Sequence, residues 1–364
     1  MASNPDTARP IPSISPPATH PLVSLIVVNY NGGVSLLSCL EALISDPYSA
    51  REIIVVDNAS TDQSPIILKD MSARHPNLIV VWSKQNLGYA GGVNLALGVA
   101  HGSYVAVLNM DVVVDSGWLA PLIAFLENHP KVGAVNPLIA LSDGKRINAL
   151  GQSVHPTGLG FNSHLGRLVE SIGSEPVPVS GIQGGAFVIR RILLERMGGM
   201  DQTGFLYHED VNLSWLLHLM GFDLYCVPQS VVRHDYVLSM YPAKLHLLER
   251  NRWAMLLAYL HRSTLILLIP AFIATEILTW GYCLLRGWSF MRAKLASYRW
   301  VLNHRQQIAE RRRLAESLRV LPDRKLLMRL RWAYAWDQFG VLGKERGKSS
   351  RQPVGGVPKE AVNS

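Results

Sequence analysis

The chain has 364 residues, enough for one large or two modest domains with a substantial core. At 48% hydrophobic and 17% charged it is more apolar and less charged than an average soluble domain. Its three cysteines, Cys39, Cys226 and Cys283, are far apart and odd in number, which excludes a disulfide framework and any cysteine metal-ligand spacing and sets the expectation of reduced thiols in a reducing compartment. The net charge of +8 is unevenly placed: from Arg286 onward there are 18 Lys/Arg against 6 Asp/Glu, so the preceding body is slightly acidic. A basic tail on an acidic body points to an anionic surface, for which membrane lipid and nucleic acid both qualify on charge, as does a merely solvated tail.

Residues 1–21, rich in Pro, Ser, Thr and Ala, read as a disordered leader, because no apolar run follows a charged start. Residues 22–30 form a first strand, and Asn31-Gly32-Gly33 turns into a helix over 34–43. A second strand, 52–57, is closed by Asn58-Ala59-Ser60-Thr61-Asp62, whose side chains can cap a following helix. A third strand, 78–82, leads into the Gly-rich run 86–94 and another helix. The fourth, 104–108, follows the turn His101-Gly102-Ser103 and has the β-branched composition of a strand covered on both faces. This alternation implies a doubly wound α/β sheet with right-handed crossovers.

Each strand ends in polar residues: Asn29, Asp57, Asn86 and Asn109 with Asp111. Ligands of open α/β sheets bind outside the carboxyl ends of the strands, so the row argues for a nucleotide-type site. Taken alone, Asn109 and Asp111 fit either an Asx turn or a carboxylate holding a divalent cation on a diphosphate. From 136 to 180 the pattern breaks into short segments with Gly and Pro, read as an irregular stretch that shapes an acceptor cleft. Residues 181–190 form a loop feeding a strand, 192–197 a short helix, and 198–201 a turn. In the helix that follows, Val211, Trp215 and His218 share a face, while Glu209 and Asp210 occupy the first turn. The helix dipole favours acidic residues there whether or not they do chemistry.

Six motifs, Asn29-Tyr30-Asn31-Gly32, Val55-Val56-Asp57-Asn58-Ala59-Ser60-Thr61-Asp62, Asn86-Leu87-Gly88-Tyr89-Ala90-Gly91-Gly92-Val93-Asn94, Asn109-Met110-Asp111, Gly184-Gly185-Ala186 and His208-Glu209-Asp210, occur in an order that resembles the family 2 inverting glycosyltransferases, in particular the rhamnosyltransferase-like branch. The resemblance covers residues 22–241. It implies a GT-A fold (a Rossmann-like, doubly wound mixed sheet), a nucleotide-diphosphate sugar donor and a divalent cation, Mg2+ or Mn2+. By position, Asp57 would bond the nucleotide base beside Asn29 and Tyr30, with Asn58, Asn86, Gly88, Asn94, Asn109, Gly184 and Gly185 completing the nucleotide-sugar site. Asp111 and His234 would hold the metal, and Glu209 and Asp210 would contain the general base, Asp210 being favoured. One departure is Asn109 at the first acidic position of the metal motif. Another is Glu249-Arg250-Asn251-Arg252-Trp253, which only partly matches the Gln-x-x-Arg-Trp element of processive synthases and so implies a single-sugar transfer.

Residues 242–340 read as a helical, membrane-associating region and 341–364 as a disordered tail. Arg250 and Arg252 are expected to face phosphate. Residues 264–285 contain one charge, Glu276, and are long enough to span a membrane, yet a single crossing would separate the body from its basic tail. An in-plane or re-entrant helix on anionic lipid is therefore expected, with Tyr298, Trp300, Trp332, Tyr334 and Trp336 as an interfacial belt; a helical cap or dimer interface is the alternative. The expected protein is a peripheral or monotopic enzyme at the cytoplasmic face of the cell membrane, moving rhamnose from dTDP-rhamnose to a lipid-linked or cell-surface glycan precursor. The rivals are a polyprenyl-phosphate glycosyl transferase and a non-catalytic nucleotide-sugar-binding scaffold. Nucleic acid is ranked last as a partner, since no reader module appears.

Overall fold

A computed structural model describes residues 21–339; the leader, Pro21 apart, and the tail expected from the sequence lie outside the described residues. The chain runs β1 (Val23–Asn29), α1 (Gly33–Ser45), β2 (Arg51–Asp57), α2 (Ser64–Arg74), β3 (Leu78–Trp82), α3 (Gly88–Leu97) and β4 (Tyr104–Asn109). It continues with β5 (Val112–Val114), α4 (Leu119–Asn128), β6 (Val132–Leu141), β7 (Ile147–Ala149), β8 (Gln152–Val154), β9 (Gly160–Asn162), β10 (Val177–Pro178), β11 (Ala186–Arg190), α5 (Arg191–Arg196), α6 (Glu209–Leu219) and β12 (Asp223–His234). Six helices end the described chain: α7 (Pro242–Tyr259), α8 (Arg262–Leu267), α9 (Ile269–Arg286), α10 (Trp288–Asn303), α11 (Arg305–Leu318) and α12 (Asp323–Leu327).

The main sheet has the order β10-β12-β6-β11-β4-β1-β2-β3, with β5 on β12 and β7 on β6. The block β3-β2-β1-β4 is parallel, whereas β11 runs antiparallel to both β4 and β6. Both faces are covered, which is why the strands read as continuous apolar runs. Val23, Leu25, Val27, Ile53 and Val55 pack on one face with α1 and α4; Ile26, Val28, Ile54 and Val56 pack on the other with α3, α6 and α7. Trp300, Val301, Ile308, Ala315 and Leu326 from the carboxyl-terminal helices join this second cluster.

The stretch expected to be irregular from residue 136 holds most of a ten-residue strand, β6, that runs through Pro137. Proline cannot donate to a ladder. The fold accommodates it where β12 shifts register between Val227 and Val231, Val227 being the partner of Pro137. Such a bulge has no local sequence signature.

Arg250 and Arg252 do not face phosphate. Both are buried: the Arg250 guanidinium lies 4.7 Å from the centre of the Trp300 ring, and Arg252 pairs with Glu249 (2.8 Å) and Glu276 (2.7 Å). Lys294 completes the cluster, 2.6 Å from Glu249 and 3.0 Å from Glu276, so α7, α9 and α10 are joined by two cations and two carboxylates. The aromatic belt also resolves differently. Trp300 is buried, Tyr298 bonds Glu276, and Tyr334 stacks on His155 with centroids 4.3 Å apart; Trp332 and Trp336 remain exposed.

Burial alone would push the Glu249 carboxyl up, but the charges of Arg252 and Lys294 overcome it and hold it at about 2. A carboxyl whose folded pKa is depressed contributes stability that is full above its unfolded value of about 4.3 and is lost as pH falls towards 2. Removing one member of a buried pair costs ~3–5 kcal/mol. Lys294→Met and Glu249→Gln should each lose about that much in urea unfolding at pH 7. Glu249→Gln should also show a shallower stability loss between pH 5 and 2 than the native chain; parallel acid limbs would refute the assignment.

Candidate active site

The predicted polar row exists at the carboxyl edge of the parallel block. Asn29 and Asp57 are registered neighbours on β1 and β2. The Asn29 amide donates to Asp57 Oδ1 (3.0 Å) and Ser60 Oγ (3.0 Å), and its Oδ1 accepts from the Gly32 N–H (3.1 Å). Asp57 Oδ2 accepts from the Ser60 N–H at 3.2 Å. Asn58 donates to Asn86 Oδ1 (2.9 Å) and the Gly88 carbonyl (3.0 Å), and accepts from the Leu87 N–H (2.9 Å). Asn29, Asp57, Asn58 and Asn86 therefore form one hydrogen-bonded layer that shapes the loops of the strand edge. Tyr30 lies beside this layer, half-buried, its backbone N–H on Met110 Sδ.

Asn94 is placed elsewhere. Both ends of its amide are taken by the Met200 backbone, at 2.7 and 2.8 Å, so it braces α3 against the turn after α5. Gly88 opens α3 at φ +72, where a Cβ would stand 2.0 Å from the Phe205 carbonyl oxygen. The same carbonyl accepts from the Tyr89 N–H at 2.9 Å, which brings the segment before α6 against the nucleotide-type loops.

Asp111 and His234 meet across the β5–β12 pairing, with Nε2 3.3 Å from Asp111 Oδ1. The other ring nitrogen, Nδ1, is 3.0 Å from Asn148 Oδ1, a contact that fixes the plane of the ring. Nε2 and Asp111 Oδ1 lie close enough together to bind one divalent cation between them. A buried imidazole nitrogen and a part-exposed carboxylate oxygen suit Mn2+ or Mg2+, with the remaining positions open to phosphate and water. Among the described residues no group of three or more His, Cys, Asp or Glu converges on one point, so protein donors alone would not complete a coordination shell.

The Gly184–Gly185 turn separates this pair from the acidic start of α6. On one side a Cβ on Gly185 would lie 3.3 Å from His234 Nδ1, and the Gly185 carbonyl accepts from the Asn109 N–H (2.9 Å). On the other, Asp210 Oδ2 accepts from the Gly184 N–H (3.0 Å) and the Gln152 amide (2.7 Å), while Oδ1 accepts from the Val211 N–H (2.8 Å). Burial raises the Asp210 carboxyl above its ordinary range, and these donors pull it back. Burial also raises Glu209, and the charge of Asp210 adds to the rise. Of the pair, Asp210 is thus the better-held anion. Glu209 lines a separate small space with Asp201, Tyr207, Asn212, Asn251 and Arg311. Tyr89 donates to the Gly184 carbonyl (2.7 Å); burial raises its hydroxyl, as do the charges of Glu209, Asp210 and Asp111.

Reading along the sequence missed Gln152, Asn148 and Asn251. The first two lie in the weakly patterned stretch after residue 136, where nothing in their neighbours marks them. Asn251 was visible inside Glu249-Arg250-Asn251-Arg252-Trp253, but only as the unmarked position of that element.

Residues 24–198 match the family model described as Glycosyl transferase family 2. An N-acetylglucosaminyl-diphospho-decaprenol L-rhamnosyltransferase of Mycobacterium tuberculosis is 28% identical over 269 residues, covering 68% of this chain and 84% of that protein. An uncharacterized glycosyltransferase of Haemophilus influenzae is 28% identical over 138 residues, 38% of this chain and 42% of that one. In the fold, the chain is similar to GalNAc-T7 crystallised with UDP, GalNAc and Mn2+, with a TM-score of 0.55 and 18% identity over 67% of this chain and 49% of that one. The chain thus spans less than half the length of two of these three proteins. The architecture is the GT-A mixed α/β fold followed by a helical carboxyl-terminal region.

Because φ is positive at Gly88 and backbone fills the space where a Cβ would go, Gly88→Ala should destabilise the chain by about 2 kcal/mol or more in urea unfolding. A variant with native stability would mean that the α3 opening and residue 205 are not in this contact.

Proposed function

We propose, from the premise that residues 24–198 belong to the family 2 glycosyltransferases, that the protein is a non-processive inverting glycosyltransferase with Asp210 as general base. The observation that carries the reading is the position of Asp210, fixed by Gly184 and Gln152 on one side of a glycine turn whose other side is Asp111 and His234. An acceptor hydroxyl would give its proton to Asp210 as its oxygen bonds the anomeric carbon. The bond from that carbon to the diphosphate oxygen breaks on the opposite face, and its electron pair leaves with the nucleotide diphosphate. Asp111 and His234 would hold the divalent cation, which supplies neutralisation of the charge growing on the leaving group. The Asn29–Asp57–Asn58–Asn86 layer shapes the nucleotide end, and Asn109 joins it to the glycine turn. The rhamnosyltransferase relative favours dTDP-rhamnose as donor and a lipid-linked glycan precursor as acceptor.

The carboxyl-terminal surface supports a membrane-bound acceptor. No helix among the described residues is long and apolar enough to cross a membrane. On α9, Ile269, Ile273, Ile277 and Leu284 recur at helical spacing and are exposed, while Phe272, Thr275, Thr279 and Cys283 face inward. On α10, exposed Trp288, Leu295 and Leu302 share a face with exposed Arg292 and Arg299. Apolar residues interleaved with Arg are the composition of an in-plane helix on anionic lipid, each Arg adding ~1 kcal/mol near the surface. The protein would then work as a peripheral or monotopic enzyme on the cytoplasmic leaflet.

Two experiments test this. Purified protein given a panel of nucleotide sugars with Mg2+, Mn2+ or chelator should turn over one donor in a metal-dependent manner; Asp210→Asn should lower kcat by ~10²- to 10⁴-fold. Gln152→Leu should lower it by about 10- to 100-fold, the loss of a hydrogen bond to a charged group. Turnover undiminished in Asp210→Asn would remove the assigned base. In co-sedimentation with vesicles containing anionic lipid, Ile273→Glu with Ile277→Glu should lower binding at least ~10-fold, and Arg292→Glu with Arg299→Glu should abolish its salt sensitivity. Equal binding by all three proteins would exclude this surface.

A further inference from the structure

The segment that delivers the acidic pair is held in an unfavourable backbone form. Phe205 (φ 61), Tyr207 (φ 66) and His208 (φ 74) are non-glycine residues at positive φ, and His208, which is left-handed, immediately precedes α6, with Asp210 two residues on. Side chains with a Cβ persist there only where their surroundings over-determine them. The strongest determinant is a single side chain from another element. The Asn251 amide nitrogen, on α7, lies 3.0 Å from the Gly204 carbonyl, 3.1 Å from Leu206 and 2.8 Å from Tyr207. Three carbonyls converge on the two N–H groups of one buried amide; that of Gly204 also accepts from the Leu206 N–H (2.8 Å), whereas those of Leu206 and Tyr207 take their hydrogen bonds from Asn251. The fit is close: a Cβ on Gly204 would stand 2.9 Å from the same nitrogen. Other contacts hold the segment as well, with Tyr89 N–H on the Phe205 carbonyl, the Tyr207 hydroxyl on that of Tyr241 (2.7 Å) and His208 Nε2 on the Gly158 carbonyl (2.7 Å); Asn251 is the side chain that gathers the Leu206 and Tyr207 carbonyls.

We infer that Asn251 is a positioning residue for Asp210, setting through the turn at 205–208 the angle at which α6 presents its carboxylate to the Gly184 N–H. Its amide nitrogen bonds backbone carbonyls, so its effect passes through backbone. The inference rests on the transferase reading only in its kinetic half.

The test compares Asn251→Leu with Asn251→Asp, which keeps the shape and removes both N–H groups. In both, amide exchange at residues 205–210 should rise at least ~10-fold while the amides of α7 around Leu256 stay protected, since the opening is local. On the identified donor, kcat should fall by about 10²-fold, as for a misplaced catalytic group, with the donor KM within about 3-fold of native. Unchanged exchange at 205–210 would overturn the inference, as would a kcat loss matched by equal losses in donor affinity and melting temperature, the mark of general unfolding. If the native protein turns over no donor, the transferase reading fails on its own, and the exchange data alone decide whether Asn251 holds the turn.

Discussion

The hydrogen bond from the Gly184 N–H to the Asp210 carboxylate joins the two halves of the molecule that matter for chemistry. Gly184 is placed from the sheet, because β11 pairs with β4 and the Asn109 N–H reaches back to the Gly185 carbonyl. Asp210 is placed from the helical layer, at the first turn of α6. The glycines are needed there for space: a side chain at 184 would meet Asp210 and one at 185 would meet Gln183 and His234. A strand end and a helix start are thereby brought to opposite sides of one short turn.

That junction depends in turn on how α7 is fixed. It is buried nearly all round, including Glu249, Arg250, Asn251 and Arg252, an expensive set to bury. The charges of Glu249 and Arg252 are matched by Lys294 from α10 and Glu276 from α9, Arg250 lies over the Trp300 ring, and the Arg252 Nη1 donates to the Thr157 carbonyl at 3.1 Å. Buried ion pairs of this kind add little net stability over a well-packed apolar core, but they admit few alternative packings. α7, the helix that carries Asn251, is thereby tied to α9, α10 and the loop at Thr157. The partial likeness to a processive-synthase element is therefore used here for scaffolding: Arg252 is consumed by carboxylates and is not free to bind a diphosphate.

The same network explains the contrast between the two sides of α9. Glu276 turns inward to Arg252 and Lys294, removing the one charge from a segment that otherwise presents isoleucine and leucine outward. Trp253, Leu257, Leu265, Ile266, Phe272 and Trp280 line an apolar hollow of about 590 Å³ beside it. Arg292 and Arg299 are exposed on the neighbouring helix.

Local pattern was enough to determine the four parallel strands, their helices and the polar residues at their ends. Apolar β-branched runs closed by Asn, Gly or Asp are set by neighbours within a few residues, and the order of six such motifs carried the family resemblance. Local pattern did not reveal β6, because Pro137 breaks the reading and is tolerated only by a bulge some ninety residues away on β12. Nor did it show that Asn94 is a brace, that Arg250 and Arg252 are buried, or that Gln152, Asn148 and Asn251 are tied to Asp210, to His234 and to the turn before α6. Each of those facts depends on which distant backbone or charge a side chain meets: Asp210 for Gln152, His234 for Asn148, the carbonyls of 204, 206 and 207 for Asn251. Sequence by itself therefore determined the elements and the chemical types available at the sheet edge. Tertiary packing decided which polar groups were spent on one another and which were left facing the cleft, because a hydrogen bond between residues far apart in the chain is settled only when their elements dock.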